Sequence, residues 1–185
     1  MIHKARLYII LILVTLIHLS AYGQFNFRKY QVDDGLSHST VWCSFQDHDG
    51  FLWFGTNRGL NRFDAQRFEY YKNRTKDSLT IGNNIIKTIF ELNDSILLCG
   101  TNKGVYQFNK VNNDFHLINK KTKYGVTISS EVKKIIKTQK GTFWIATLGQ
   151  GLFIYDPTKD SLTQNSIHTI FIWDLFEDYN TGDIY

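Results

Sequence analysis

The sequence predicts an all-β protein of repeated four-stranded antiparallel sheets, on three observations. A segment with an apolar strand, a glycine turn and a second apolar strand occurs three times: FLWFGTNRGLNRF from Phe51, LLCGTNKGVYQF from Leu97 and FWIATLGQGLFIY from Phe143. The copies recur every 45 residues or so, roughly the period of sheet units that stack into arrays. Each copy breaks into short apolar runs separated by Gly, Asn and Asp, the punctuation of short strands and tight turns.

The copies align position by position. Trp53, Leu98 and Trp144 are equivalent, then Phe54, Cys99 and Ile145, then Gly55, Gly100 and Ala146, then Thr56, Thr101 and Thr147. After a turn come Gly59, Gly104 and Gly151, each followed by an apolar residue (Leu60, Val105, Leu152). An aromatic (Phe63, Phe108, Tyr155) and an Asx residue (Asp64, Asn109, Asp156) complete the unit. The third copy has one extra residue in its turn, Leu148-Gly149-Gln150. Four strands are expected per copy. The first runs Val41 to Gln46, with partners near Ile85 to Glu91 and Val132 to Thr138. The second is Phe51 to Gly55 and the third Leu60 to Phe63. The fourth is Phe68 to Lys72, matched by Phe115 to Asn119.

The apolar pattern sharpens the architecture. Phe51 to Phe54 are apolar on consecutive positions, so both faces of that strand need cover, whereas a sheet with one wet face would alternate. A four-stranded unit covered on both faces by its siblings is a blade of a β-propeller. Gly55, Gly100 and Ala146 are then small because a neighbouring sheet passes close by, and Asp64, Asn109 and Asp156 suit the turn between third and fourth strands. A fourth copy begins at Ile172-Trp173-Asp174-Leu175-Phe176, matching Val41 to Phe45, and Tyr185 falls inside its second strand. Phe25 to Tyr30 resembles a fourth strand without the first three, as a ring-closing strand would. The expected division is 1–23 leader, 24–36 closing strand and loop, 37–82, 83–128 and 129–168 three blades, and 169–185 the start of a fourth. A ring takes 4–8 blades, so about three and a half imply a fragment or truncated copy of something longer. The remaining blades, or a second copy of the chain, would complete it.

Composition agrees with a packed β domain: 43% apolar and 15% aromatic residues, with one proline, in 185 residues. The first 23 residues read differently. Lys4 and Arg6 precede the apolar run Leu7 to Leu19, and Ala21-Tyr22-Gly23 places small residues for cleavage before Gln24, the order of a secretory signal peptide. The alternative is a retained anchor, but a span needs ~20 apolar residues and this run is shorter. Export to the periplasm with removal of 1–23 is expected. That segment holds Lys4 and Arg6, two of the 21 basic residues, and none of the 17 acidic ones, so the remainder carries +2. Lys120-Lys121 and Lys133-Lys134 are scattered doublets, which argues against nucleic acid as a partner. Cys43 and Cys99 take non-equivalent strand positions and are expected as two buried thiols rather than a disulfide.

The pattern Asp34-Gly35-Leu36-Ser37, Val41, then Asp47-x-Asp49-Gly50-x-x-Trp53-x-Gly55-Thr56-x-x-Gly59-Leu60-x-x-Phe63-Asp64 resembles the two-component regulator propeller repeat. The likeness runs through 25–185 and is strongest in the first copy. It weakens in the second, where Leu98 replaces tryptophan and Asp94-Ser95 replaces Asp-Gly, and in the third, where Ala146 replaces glycine. The resemblance implies the extracytoplasmic sensor of a hybrid two-component system. There, paired seven-bladed propellers, a further β-domain and a membrane helix lead to a histidine kinase, and many members detect oligosaccharides. The kinase parts are not among these residues, so the membrane would be reached only through downstream parts of a parent protein.

Chemistry-bearing residues are few. Asp47-His48-Asp49-Gly50 has the look of a calcium loop. Its counterparts are Asn93-Asp94-Ser95 and Gln139-Lys140-Gly141, and a lysine there opposes a cation, so a tight turn is favoured and no metal or other cofactor is expected. The turns after each Thr and the polar pairs before each first strand should share one end of the ring. From them His38, Arg58, Asn83, Lys103 and Gln150 are the candidate ligand-binding residues, against the alternative of solvated turn residues, which is favoured. Trp53 and Trp144 are expected in the core; Trp42 and Trp173, by the start of the first strand, are less constrained and could stack on sugar rings. No catalytic residues are expected: no facing carboxylate pair and no nucleophile motif appear. Two alternatives to the sensor stand: an exported scaffold or protein-interaction propeller without signalling, and part of a propeller polysaccharide-degrading enzyme.

Overall fold

A computed structural model describes residues 27–74, 77–165 and 169–185, together with Arg6. The predicted leader, Arg6 apart, and Phe25 and Asn26 of the predicted closing strand lie outside the described residues. The strands are β1 (Val41–Gln46), β2 (Leu52–Thr56), β3 (Gly59–Phe63), β4 (Phe68–Tyr71), β5 (Ile86–Asn93), β6 (Ile96–Thr101), β7 (Gly104–Asn109), β8 (Asp114–Leu117), β9 (Glu131–Lys137), β10 (Phe143–Leu148), β11 (Leu152–Asp156) and β12 (Ser161–Gln164). They form three sheets, each a four-stranded antiparallel meander in chain order. The inner strands β1, β5 and β9 lie side by side, and β2 and β6 each pack against the inner strand of the next sheet.

The consecutive apolar residues in each second strand are explained by this stacking. Leu97, Leu98 and Cys99 are all fully buried. Leu97 and Cys99 point into a core shared with the first sheet, alongside Trp53, Leu60 and Phe108. Leu98 points the other way, into a core shared with the third sheet, alongside Val132, Ile145 and Phe153. A strand whose alternate residues enter two different cores has no wet face.

Close approach between sheets explains the small residues. A Cβ on Gly55 would lie 2.6 Å from Cys43 Sγ and 2.8 Å from both Cγ2 and the carbonyl oxygen of Ile86 in the next sheet. At Gly100 it would lie 2.5 Å from Thr88 Cγ2 and 2.7 Å from Val132 Cγ1. Gly55→Ala is therefore expected to destabilise by about 1–2 kcal/mol through overpacking, read as a lower urea midpoint at unchanged m-value; an unchanged midpoint would mean the sheets part freely. Cys43 and Cys99 are free thiols, and burial pushes the Cys43 pKa up to about 12, which keeps it protonated and unreactive.

The termini of the described chain lean on the outer sheets. Residues 27–30, where a closing strand is expected, carry no strand. Instead the Tyr30 ring packs edge-on against Phe63 and Phe68, at 4.8 and 5.6 Å between centroids. At the other side Ile172 N–H donates to Thr147 O (3.1 Å), Leu175 is buried with Ala146 and Leu152, and Phe176 and Tyr185 exchange both backbone hydrogen bonds. The fourth copy thus begins against the third sheet.

A charge cluster joins the first two sheets at the β1–β2 end. Lys110, just after β7, places Nζ 3.3 Å from Asp47 Oδ2, 3.2 Å from Asp49 Oδ2 and 2.8 Å from Glu91 Oε1. His48 donates its backbone N–H to Glu91 Oε2 (3.1 Å), and its Nδ1 lies 2.8 Å from Oε1. The same joint recurs two units further on, between the third sheet and the start of the fourth copy, where Gln139 N–H donates to the Glu177 carboxylate. The hydrogen bond to Glu91 holds the His48 pKa above its usual 6.5. A raised value stabilises the fold fully below pH 6.5, and that contribution is lost as pH climbs through the folded value. His48→Asn should therefore flatten the fall in unfolding midpoint that the wild type shows on going from mildly acidic to mildly alkaline buffer. Identical pH profiles would dismiss the His48–Glu91 contact.

Candidate binding surfaces

The β2–β3 turns and the segments leading into β1, β5 and β9 do share one end of the sheets, and main-chain hydrogen bonds join them from sheet to sheet. Gly59 N–H donates to Asn84 O (2.8 Å), Gly104 N–H to Ser130 O (3.1 Å), and Gly149 and Gly151 N–H both to Ile170 O (2.8 and 3.0 Å). The repeated threonine locks each turn from inside. Thr56, Thr101 and Thr147 are fully buried and donate Oγ1–H to the carbonyls of Gly59, Gly104 and Gly151. Two of those hydroxyls also accept from the N–H of Arg58 and Lys103, at 3.0 Å each.

The five candidate residues divide on this geometry. His38 Nδ1 accepts from Thr40 N–H (2.9 Å) and Asn83 Oδ1 from Ile85 N–H (3.0 Å), both closing local turns. Gln150 is fully engaged: Oε1 accepts from Ser129 and Ser130 N–H, and Nε2 donates to Thr127 O. Arg58 and Lys103 use only their backbone in the turn, and their side chains are exposed at this end. The structure therefore brings all five to one end and leaves two cations, Arg58 and Lys103, pointing outward.

A second surface was harder to see in the sequence. Trp53 is buried and Trp144 half-buried, but Trp42 on β1 and Trp173 in the segment that begins the fourth copy are 46% and 67% exposed. Lys87 Nζ sits 3.0 Å from the centroid of the Trp42 ring, and Lys133 Nζ 4.8 Å from that of Trp173. Sequence reasoning singled out the tryptophans and missed the lysines. The signal lay in the alignment, since Trp42, Lys87, Lys133 and Trp173 hold one position in four successive copies.

Residues 35–58 match the model of the family described as two component regulator propeller. Those residues carry that repeat. Within the propeller repeat, its signature residues have visible tasks. Leu36 is buried, Ser37 N–H donates to Asn61 Oδ1 (2.9 Å), and Ser37 Oγ lies 2.9 Å from Thr56 Oγ1. Asp47 accepts from Phe51 N–H and Trp53 Nε1–H (2.9 and 2.8 Å), so its role is to close a turn and tie down an indole. A 59-residue stretch is 44% identical to histidine kinase P4 of Formosa agariphila, covering 32% of this chain and 4% of that protein. The extracellular domain of the hybrid two component system BT3049 from B. thetaiotaomicron superposes with a TM-score of 0.69 at 21% identity, over 80% of this chain and 22% of that one. The WD40 β-propeller domain of Doa1 gives 0.60 at 17% identity, over 80% and 47%. The fold is therefore that of stacked propeller blades, here an incomplete set. The chain spans 4% of the relative and about a fifth of the extracellular domain that it matches. Among the described residues no helix is long and apolar enough to cross a membrane.

Proposed function

We propose that this chain is the N-terminal, extracytoplasmic sensor segment of a hybrid two-component regulator, exported by a cleavable leader. It takes up an oligosaccharide or related extracellular ligand and passes the signal to a histidine kinase outside these residues. The observation that carries this reading is the propeller-repeat match at 35–58, together with the identity to a histidine kinase over 59 residues. The likeness to an extracellular domain of a hybrid two-component system supports the same setting. The segment itself is non-catalytic: it binds, with Arg58 and Lys103 as the turn residues most available to a ligand, and further blades or a second copy complete the ring. The test is a deletion in the cell of origin. Removing the codons for residues 27–185 should abolish transcriptional induction by at least one oligosaccharide in a panel of glycans. Induction unchanged on every glycan would refute a sensing role.

A further inference from the structure

Two buried polar atoms that the fold leaves without a partner belong to one groove. Tyr71 ends β4, the outer strand of the first blade, and Asp114 opens β8, the outer strand of the second. Tyr71 Oη and Asp114 Oδ1 are both buried with no hydrogen-bond partner among the described residues. Both residues line a groove of about 660 Å³ between the two blades, a size common to ligand sites. The Tyr71 hydroxyl cannot swing to a partner, because its ring is packed on Trp53 and Phe108 at 6.3 and 4.8 Å between centroids. Glu69 on the same strand is taken by Arg62 at 2.6 Å. Asp114 Oδ1 has only His116 Nε2, at 3.6 Å, beyond hydrogen-bond length. A buried donor or acceptor left unmade is costly, and two in one groove call for an account.

The charges of the groove divide by blade. Lys72 and Arg74 stand on the first-blade bank with no ion-pair partner among the described residues; Lys72 lies over the Tyr70 ring, 5.4 Å from its centroid, which leaves its charge unneutralised. Asp77 on that bank is spent on its own loop, accepting from Leu79 N–H at 3.1 Å. Asp114 stands on the second-blade bank beside Asn112 and Asn113. The orphan donor is thus on the cationic bank and the orphan acceptor on the anionic one. A plain anion or a plain cation would be drawn by one bank and repelled by the other, whereas a ligand carrying both charges matches both. All four strands of both blades are described, and a further blade would pack on the far face of the first or third sheet, away from this groove.

We propose that this groove binds a zwitterion of the amino-acid type, either a free amino acid or a short peptide. Its carboxylate accepts from the Tyr71 hydroxyl and faces Lys72, and its ammonium group donates to Asp114 Oδ1. Its apolar part lies against Tyr70 and Leu79, which are 47% and 51% exposed. The ligand therefore bridges the first two blades on their outer side. The inference is independent of the oligosaccharide reading, which places its ligand at the β2–β3 turns.

Titration calorimetry on the full chain tests it, with phenylalanine and the tripeptide Ala-Phe-Ala as probes, each in free, N-acetylated and C-amidated form. Binding of at least one free form is expected, and the tighter of the two identifies amino acid or peptide as the source. Blocking either end should weaken that binding by about tenfold, the loss of one charge-assisted contact. Asp114→Asn should weaken the free form by about tenfold and leave the N-acetylated form unchanged. Lys72→Met should do the same for the free and C-amidated forms. Tyr71→Phe should weaken binding without lowering the urea midpoint, since it deletes a hydroxyl that bonds to nothing in the folded chain; that separates lost contact from lost fold. No binding of either free probe would overturn the proposal and assign the two atoms to ordered water. Blocked forms that bind as tightly as free ones, or substitutions that weaken blocked and free forms alike, would overturn it too. Each of these failures leaves the oligosaccharide reading standing, because that reading is judged by the transcript test alone.

Discussion

Replacing Trp53 by alanine is expected to lower stability by about 3–5 kcal/mol, the range for removing a large buried aromatic. Trp53 is 1% exposed in the core between the first two sheets, with Tyr71 and Phe108 against its ring at 6.3 and 5.5 Å between centroids. Two losses combine. The cavity left behind opens between sheets that no strand ladder joins, and Asp47 Oδ2 loses the indole N–H at 2.8 Å. Trp53→Phe separates them. It keeps most of the packing and forfeits the donor, so a smaller cost of about 1–3 kcal/mol is expected. Urea unfolding of the two variants measures both. Equal losses would assign the stability to the hydrogen bond alone, and two wild-type-like curves would refute the intersheet core as the main support of the fold.

Lys110→Met is expected to cost about 2–4 kcal/mol, because it leaves carboxylates facing one another without a cation. The Asp47 side chain is fully buried and that of Lys110 is 9% exposed, whereas Asp49 is half open to water. That partial access to water keeps the expected loss below that of a wholly buried pair. Burial alone would raise the Glu91 pKa, but hydrogen bonds from Lys110 and His48 outweigh it and hold the value below the usual 4.5. A depressed carboxyl stabilises the fold above its ordinary pKa and loses that contribution as pH falls through the folded value. The variant should accordingly show a weaker acid-side decline in midpoint than the wild type, together with a lower plateau at neutral pH. Lys110→Arg keeps the charge and should recover much of the plateau. A Lys110→Met protein as stable as wild type at pH 7 would show that the carboxylates are adequately solvated without their cation.

The blades were legible in the sequence because packing of identical units forces side chains of one kind at one interval. The run Phe51 to Phe54 announced a strand with two covered faces, and Gly55 and Gly100 announced a close neighbour; both are local signals. The charge cluster was not legible. Lys110 meets Asp47 across 63 positions of sequence, and nothing near either residue marks the partnership. The Asp47-x-Asp49-Gly50 segment on its own fits a turn or an ion-binding loop, and only the packing of the second sheet puts an ammonium group among its carboxylates. The candidate turn residues were placed at the right end because a meander fixes which loops emerge together. The sequence could not say that Gln150 is consumed by the turn, because its partners Thr127, Ser129 and Ser130 are brought to it by the preceding strand connection.

The joints between neighbouring units at the turn end are made by peptide groups: the N–H of Gly59, Gly104 and Gly151 meets a carbonyl in the segment entering the next unit. A peptide group is the same whatever side chain it bears. Tandem duplication of a gene segment would therefore hand the new unit a working hinge-pin at birth, while the residues displayed around that pin drift freely. Asn57-Arg58, Asn102-Lys103 and Leu148-Gly149-Gln150 are three divergent outcomes on one conserved fastening.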